Sequence, residues 1–334
     1  MKPPPVPCRA DLTMRGISPK KLWRSGAVAA LVLTLAGCAG LLGQGAPLSK
    51  PVARPAPDSV QKPHVAQPTS IKSAMLRQYL AQVYQAQSSQ GLLRQDGGGA
   101  DTPYTADMLA RNFEQIAFFN EYDSDFTGRG GASPLRRWAG PVRMTLVFGE
   151  GIAASQRQSV SNDVTRYARR LARATGHPIA TADAPNFLVI VASEDDRDAA
   201  LSQAAARIPG ISDTSLAALR NMRKDTYCAV AAYATGPDPN TYTAAVAVIR
   251  AENPDLLLLS CIHEELAQGL GLANDSPTAR PSIFNDDDEF ALLTTHDELL
   301  LKMLYDPRLH PGMSAREAEP ITRIIARELT GAAL

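Results

Sequence analysis

The sequence predicts an α/β fold in which a mixed sheet is preceded by a helical segment, and three observations indicate it. Apolar residues recur at helical spacing before residue 120. Four stretches further on have the alternating or continuously apolar pattern of strands. A helical pattern separates the first two of these strands, and another helical pattern follows the last one.

The N-terminal residues have the three-part order of a secretory signal. A basic cluster at residues 20–24 precedes the apolar run 27–35, which is too short to span a bilayer as a helix. The Leu-Ala-Gly-Cys sequence at residues 35–38 resembles the lipobox of bacterial lipoproteins. The resemblance implies cleavage after residue 37, a lipid-modified Cys38 and, because Ala39 follows, an outer-membrane location. A plain secretory signal is the alternative.

Residues 38–70 are expected to form an extended tether, because they carry six prolines among small polar residues and no periodic apolar pattern. We therefore divide the chain into a signal peptide (1–37), the tether (38–70), a helical segment (71–134) and an α/β domain (135–330). Met14 is an alternative start to Met1, since the segment before the basic cluster is unusually long and rich in proline.

The composition excludes some classes of partner. Lysine plus arginine and aspartate plus glutamate each number 34, so the formal net charge is zero and no nucleic-acid partner is expected. With 334 residues and 45% apolar content, the chain can bury a sizeable core. Any specific role must therefore come from a local site.

Two helices are predicted in the segment 71–134. The first has apolar residues at helical spacing between residues 75 and 84, and the second runs from Thr105 with Phe113 and Phe119 on its apolar face. The glycines at residues 97–99 separate them. We expect the aromatic residues to pack against the main domain.

Four strands are predicted in the main domain, over residues 141–148, 186–191, 226–233 and 242–249. A helix over 155–173, closed by Gly176, separates the first two. The turn-rich segment 236–240 joins the last two, and a further helix is expected to begin near Asp255.

Two cysteines remain once Cys8 is removed and Cys38 is acylated. In an oxidising compartment we expect Cys228, in a predicted strand, to pair with Cys261, in the helix that follows. The disulfide would close a loop of roughly 30 residues and stabilise the fold by ~2–4 kcal/mol. Two free buried cysteines are the alternative.

The most informative motif lies at residues 261–275 and reads Cys-Ile-His-Glu-Glu-Leu-Ala-Gln-Gly-Leu-Gly-Leu-Ala-Asn-Asp. His263 and Glu264 suggest the His-Glu pair of a zinc protease. In such a helix the second metal ligand stands four residues after the first. Ala267 occupies that position and cannot bind a metal, so His263 is not a zinc ligand in this register.

A shift of one residue pairs Glu264 with Gln268 on one face of the helix. Glu265 then follows the first ligand position directly. Gly271 falls where the longer motif of metzincin proteases bends the chain, and Asn274 where its third ligand stands. In this register the motif resembles a metzincin active-site helix whose imidazoles have been replaced.

A second segment strengthens that resemblance. Residues 293–305 resemble the C-terminal helix of matrixin-type metzincins, in which a Ser/Thr-capped helix with an early aspartate ends in Leu-Tyr. Residues 282–284 stand where metzincins place a methionine turn, with Phe284 at the methionine position. The resemblance implies a metzincin-like mixed sheet, an active-site-type helix and a C-terminal helix between residues 141 and 305.

The chain is also similar, over most of the mature domain, to the proteobacterial lipoproteins grouped as domain of unknown function 2927. The shared landmarks here are Asn112-Phe113-Glu114, Leu135-Arg136-Arg137-Trp138, Thr175-Gly176-His177-Pro178-Ile179, the motif from Glu264 to Leu272, Asn274-Asp275-Ser276 and Leu304-Tyr305-Asp306-Pro307. This similarity implies an envelope location, one domain and the same histidine-poor motif. It brings no known activity.

The candidate ligands Glu264, Gln268 and Asn274 would offer one carboxylate and two amide oxygens. Such a set suits calcium or magnesium and should bind zinc poorly. Without a Lewis acid, Glu265 is a weak general base. We therefore expect a non-catalytic scaffold or ligand-binding protein with no cofactor. The alternative is an atypical metal-dependent peptidase or hydrolase, with a divalent cation and Glu265 as its general base.

The expected partners are the membrane, reached through the lipid on Cys38, and an envelope protein or peptide. His177 and His263 are expected at surface or structural positions, and a zinc site built from His263 with His296 and His310 would need a new geometry. The acidic run 286–289 is expected to form a solvated loop or helix cap, with cation attraction as the alternative.

Overall fold

The computed structural model describes residues 69–121, 130–212 and 215–333. The predicted signal peptide, the lipid site at Cys38 and nearly all of the tether lie outside these ranges. Within them, no helix is both long enough and apolar enough to cross a membrane.

The two predicted N-terminal helices are confirmed as α1 (Ile71–Ser89) and α2 (Ala106–Ala117). Each begins at a hydroxyl residue whose side chain accepts a backbone N–H of the first turn, Ser70 for α1 and Thr105 for α2. Phe113 of α2 is fully buried in the same core as the sheet. The helical segment is therefore packed into the main domain.

The prediction of a mixed sheet is confirmed. The strands are β1 (Arg137–Trp138), β2 (Val142–Phe148), β3 (Ile179–Thr181), β4 (Phe187–Ala192), β5 (Cys228–Tyr233), β6 (Thr241–Tyr242) and β7 (Ala244–Arg250). The main sheet has the order β3-β2-β4-β7-β5, in which β5 alone is antiparallel to its neighbour. Strands β1 and β6 form a small parallel pair.

The remaining helices are α3 (Ala154–Thr175), α4 (Arg197–Ala205), α5 (Ala217–Arg220), α6 (Asp255–Gln268), α7 (Thr295–Leu304) and α8 (Ala315–Thr330). Helix α3 and the start of α6 lie where the sequence predicts them.

Helices cover both faces of the sheet, as the continuously apolar pattern of β4 requires. Phe187, Val189 and Val191 enter the larger core, to which α2, α3, α6, α7 and α8 contribute. The alternate residues Leu188 and Ile190 enter a smaller core with α4 and α5. Helix α6 therefore lies on the face that carries the larger core.

Two glycines end α6 and fit it closely against the rest of the fold. A Cβ atom on Gly269 would lie 2.5 Å from the ring of Phe187. A Cβ atom on Gly271, whose φ is 128°, would lie 2.3 Å from the Arg136 carbonyl oxygen. The indole N–H of Trp138 donates to the Gly269 carbonyl at 2.8 Å. The chain can turn at this point only with glycines.

Asp297 joins the turn at residues 282–284 to α7. Its buried carboxylate accepts the Ser282 hydroxyl at 2.6 Å, the Ile283 N–H at 3.0 Å and the Thr294 N–H at 2.9 Å. Burial raises the Asp297 pKa, but these hydrogen bonds and the neighbouring His296 lower it by more, so that it lies below its usual range. An ionised aspartate thus fixes the turn.

Helix α8 does not appear among the sequence-based predictions, which place the C-terminal helix at α7. Ser314 and Glu317 form a capping box at its start, and Gly331 ends it in the left-handed conformation. It packs against α2 and buries Ile325 in the larger core.

Candidate functional site

His263 belongs to the core and not to a metal site. Its ring stacks on Tyr167 with the ring centroids 4.1 Å apart, and its Nδ1 accepts the Leu293 N–H at 3.1 Å. Burial, followed by the positive charge of Arg170, lowers its pKa to about 3, so the ring is neutral. The prediction that His263 occupies a surface or structural position is confirmed.

His177 and His296 are also held by protein groups. Nε2 of His177 lies 2.8 Å from the Gly140 carbonyl oxygen, and the ring contacts Tyr305. His296 is completely buried, with Nε2 3.1 Å from the Asn112 amide nitrogen. The structure does not bring either ring to the cleft beside α6.

Glu264 and Glu265 face a cavity of about 160 Å³ between the last turns of α6 and the edge strand β5. Glu264 is partly exposed there, whereas Glu265 is buried. Gln268 lines the same cavity, and so do Val230 of β5 and Asp288 of the acidic run.

Two further carboxylates approach through Gln268. The amide nitrogen of Gln268 donates to Glu121 Oε2 at 3.3 Å and to Asp275 Oδ1 at 3.2 Å. Glu121 also borders a larger neighbouring cleft of about 540 Å³, which Asp275 and Asp286 line as well. We call Glu121, Glu264, Glu265 and Asp275 the carboxylate cluster.

The environment disfavours ionisation of three members of the cluster. Burial, and then the negative charges of its neighbours, raises the pKa values of Glu264, Glu265 and Asp275 well above their usual range. In the absence of a cation, these groups hold protons at pH values where exposed carboxylic acids are ionised. The hydrogen bond from Gln268 partly offsets this effect at Asp275.

One atom of the cluster has no partner within the part of the chain that the structure describes. Glu265 is only 4% exposed, and its buried Oε2 accepts no hydrogen bond. Buried polar side-chain atoms nearly always have a partner, so this oxygen is a candidate contact for a ligand in the cavity.

The predicted ligands Glu264, Gln268 and Asn274 do not line one cavity. Glu264 and Gln268 face the cavity beside β5, while Asn274 lies on the wall of the neighbouring cleft and donates to the Gln115 carbonyl at 2.9 Å. The amide nitrogen of Gln268 is directed at carboxylates, so this residue positions acidic groups. Metal binding by Glu264, Gln268 and Asn274 stays a prediction.

The sequence-based search missed Glu121 and Asp275. Asp275 directly follows Asn274, so a weaker requirement for exact motif spacing would have included it. Glu121 comes from the loop after α2, about 140 residues before the motif (positions 121 and 264), and no spacing rule points to it. Only the packing of α2 against the main domain brings it to the cleft.

The predicted disulfide is confirmed. Cys228 of β5 and Cys261 of α6 are bonded, with their Cα atoms 5.8 Å apart and a sequence separation of 33. One ligand atom each of Cys228, Glu264 and Glu265 lie within 4.8 Å of one another. The sulfur is already bonded to Cys261, so the group available to a ligand is the carboxylate pair.

Comparison with known proteins identifies the family but no relative of known function. No curated protein and no solved structure matches the chain. The family described as a protein of unknown function, DUF2927, matches residues 106–324, which cover α2 to α7, the first part of α8 and the whole carboxylate cluster. Because the match covers more than half of the 334 residues, the chain belongs to the DUF2927 family.

Proposed function

We propose that this protein is a lipid-anchored component of the bacterial cell envelope, attached to the outer membrane through Cys38 and facing the periplasm. We infer that its domain has a metzincin-like fold that has lost the zinc chemistry and serves as a non-catalytic scaffold or ligand-binding module. The position of His263 carries the non-catalytic part of this proposal, because the apparent His-Glu pair keeps its imidazole in the core.

The order of the elements supports the metzincin-like part of the proposal. The edge strand β5 is antiparallel and lies beside α6, and the turn at residues 282–284 and helix α7 follow in the order that the motif resemblance implies. Gly271 bends the chain after α6 as that motif requires. Phe284, at the methionine position, is completely buried in the larger core.

The residues around α6 do not fit a metzincin zinc site. Zinc prefers imidazole or thiolate ligands, and the cavity offers carboxylates, one amide and a sulfur that is engaged in a disulfide. Glu265 cannot accept a proton from water while its carboxyl group remains protonated, and burial favours that form. The cavity is therefore better suited to binding than to hydrolysis.

The edge of β5 supports an extended peptide as the ligand. Within the main sheet, β5 pairs only with β7, and Cys228, Ala229 and Val230 line the cavity. A strand edge offers regularly spaced N–H and C=O groups to a second chain, and side-chain pockets beside it supply specificity. We propose that a segment of an envelope partner adds to β5 above the acidic cavity.

A peptide-binding and cleavage assay tests this proposal. Random extended peptides with a fluorophore and a quencher at opposite ends should bind the protein and remain uncleaved. Val230→Trp should abolish binding because the indole fills the cavity beside β5. Ala180→Trp, at an exposed position of the opposite edge strand β3, is the matched control and should leave binding unchanged. Equal binding by both variants would contradict docking at β5.

The second candidate function is an atypical metal-dependent peptidase or hydrolase with Glu265 as general base. The unpartnered Oε2 of Glu265 favours it, because a general base must have an oxygen available to a water molecule. Peptide cleavage that requires a divalent cation and disappears in Glu265→Gln would establish this activity and overturn the non-catalytic proposal.

A further inference from the structure

The carboxylate cluster brings together four acidic side chains from three separate parts of the chain. Glu264 and Glu265 come from α6, with one carboxylate oxygen of each within 4.8 Å of the other. Glu121 comes from the loop after α2 and Asp275 from the segment after α6, and both accept from the amide of Gln268.

An independent observation indicates that a ligand belongs among these side chains. Glu265 lines the cavity, and its buried Oε2 has no hydrogen-bond partner within the residues described. The amide of Gln268 donates to the two outer carboxylates and not to this oxygen. A cation held in the cavity would therefore lie beside a carboxylate that still lacks a contact.

We propose that Glu264 and Glu265 form the centre of a binding site for a hard divalent cation, Ca²⁺, at the cavity beside β5. Glu121 lines the same cavity, and Asp275 approaches from the neighbouring cleft, linked to Glu121 by the shared amide of Gln268. Carboxylate oxygens are the donors that calcium and magnesium prefer, whereas softer metals prefer thiolate or imidazole ligands. Ca²⁺ would give Glu265 Oε2 a partner and would offset the mutual repulsion of the four acidic groups.

Calcium fits this arrangement better than magnesium does. Ca²⁺ accepts six to eight oxygens in an irregular geometry, whereas Mg²⁺ demands a nearly ideal octahedron. The four carboxylates come from a loop, a helix and a post-helical segment, so no single rigid element imposes octahedral geometry. The cavity of about 160 Å³ can also hold water molecules that complete the coordination.

Gln268 has a positioning role in this site. Its amide nitrogen is shared between Glu121 and Asp275 and fixes the distance between their carboxylates. The α6 register predicts Gln268 as a metal ligand, whereas its contacts with Glu121 and Asp275 make it a support for the acidic ligands in this proposal. Removing such a support typically lowers metal affinity by roughly 10–100-fold.

The cation site goes beyond the peptide-binding proposal and does not depend on it. A protein that binds Ca²⁺ at the cluster and ignores peptides would support the former and contradict the latter. A protein that binds peptides at β5 but does not bind Ca²⁺ would support the peptide-binding proposal and contradict the cation site.

Isothermal titration of the purified, chelator-treated full-length chain with CaCl₂, MgCl₂ and ZnCl₂ tests the inference. We expect one Ca²⁺ per chain, with a dissociation constant in the range of about 10⁻⁴ M or below, and an increase in the unfolding temperature on binding. Mg²⁺ should bind more weakly and Zn²⁺ should not bind at the cluster. Tighter binding of Mg²⁺ or Zn²⁺ than of Ca²⁺ would overturn the assignment.

Three variants locate the bound ion. Glu265→Gln and Asp275→Asn should each weaken Ca²⁺ binding by more than about tenfold, and Gln268→Leu by roughly 10–100-fold. Asp107→Asn, at an exposed acidic position of α2, is the control and should bind Ca²⁺ like the unaltered chain. Circular dichroism confirms that each variant is folded. Absence of Ca²⁺ binding by the folded unaltered chain, or unchanged binding by Glu265→Gln and Asp275→Asn, refutes the site.

Discussion

Glu194 joins three elements of the fold through one buried carboxylate. Its oxygens lie 2.5 Å from Lys72 Nζ of α1, 2.7 Å from Arg197 Nη1 of α4 and 2.6 Å from Arg250 Nη1 of β7. Burial by itself raises the Glu194 pKa, but the hydrogen bonds from Lys72 and Arg250 and the charge of Arg197 lower it by more, to about 2. The ionised form is therefore the one that the fold stabilises.

We predict that Glu194→Gln destabilises the protein by about 3 kcal/mol at neutral pH, because it leaves Arg250 buried without its anionic partner. The pKa is lower in the folded state than in the unfolded state, so the contribution of Glu194 is fully present above the ordinary value of 4.5. It is lost as the pH falls toward about 2.

Urea unfolding of both proteins between pH 7 and pH 3 measures this difference, which should shrink on acidification. Glu298→Gln is the control: its partly exposed ion pair with Arg170 should contribute less than about 1 kcal/mol. A difference between Glu194→Gln and the unaltered chain that stays constant with pH would show that Glu194 acts through packing alone.

Gly271 and Gly331 both have a positive φ, but only at Gly271 would a Cβ atom clash with a neighbouring group. Alanine substitutions at the two positions therefore distinguish the cost of a steric clash from the cost of backbone strain. Gly271→Ala should destabilise the fold by roughly 3 kcal/mol or more, because the new Cβ would overlap the Arg136 carbonyl oxygen. Gly331→Ala meets no atom within 4 Å, so only the left-handed backbone conformation is penalised, by about 1–2 kcal/mol. Thermal unfolding of both variants checks the order, and equal losses would rule out the clash at Gly271.

At the residue scale, helix geometry alone was enough to exclude His263 as a ligand in the zincin register. The position of its ring against Tyr167 could not be predicted, because α3 and α6 are far apart in sequence. The same limit applies to Glu121, which reaches the cluster only through the packing of α2. Single-chain patterns identify the residues of one helix face, whereas a site assembled from three segments depends on tertiary contacts.

At the scale of elements, the disulfide ties the edge strand β5 to α6 beneath the cavity. We predict that Cys228→Ser combined with Cys261→Ser lowers the free energy of unfolding by about 2–4 kcal/mol, chiefly through the greater entropy of the unfolded chain. Urea unfolding with and without a reducing agent measures the effect, and the double variant should be insensitive to reduction. Two reactive thiols in the unreduced, denatured mature protein would contradict the disulfide.

The long helices and strands lie where their sequence patterns predict them. The elements that the sequence did not predict were missed for different reasons. Strands β1 and β6 have two residues each and exist only through their pairing, so no period could indicate them. Helix α8, by contrast, has clear sequence signals, namely the Ser314–Glu317 capping box at its start and Gly331 at its end. The predicted α/β domain extends to residue 330 and so includes this segment, but the resemblance to metzincins describes no helix after α7.

At the scale of the whole molecule, the second N-terminal helix, α2, is part of the main core. Helix α2 packs against α8 and α7, and its Phe113 and Ile116 are completely buried with residues of the sheet. The loop after α2 then contributes Glu121 to the cluster. The helical segment therefore builds one wall of the candidate site, which a separate accessory segment could not do.

The attachment of the molecule to the membrane is predicted to depend on Cys38 alone among the cysteines. In the native host, Cys38→Ser should abolish labelling with a radioactive fatty acid and move the protein from the membrane to the soluble periplasmic fraction. Each buried methylene of the lipid contributes about 0.8 kcal/mol to membrane binding, and two chains suffice for stable anchoring. Cys8→Ser is the matched control, since this cysteine precedes the basic cluster and would be removed with the predicted signal peptide. Labelling and membrane attachment that survive in Cys38→Ser after a high-salt wash would show that the anchor lies elsewhere.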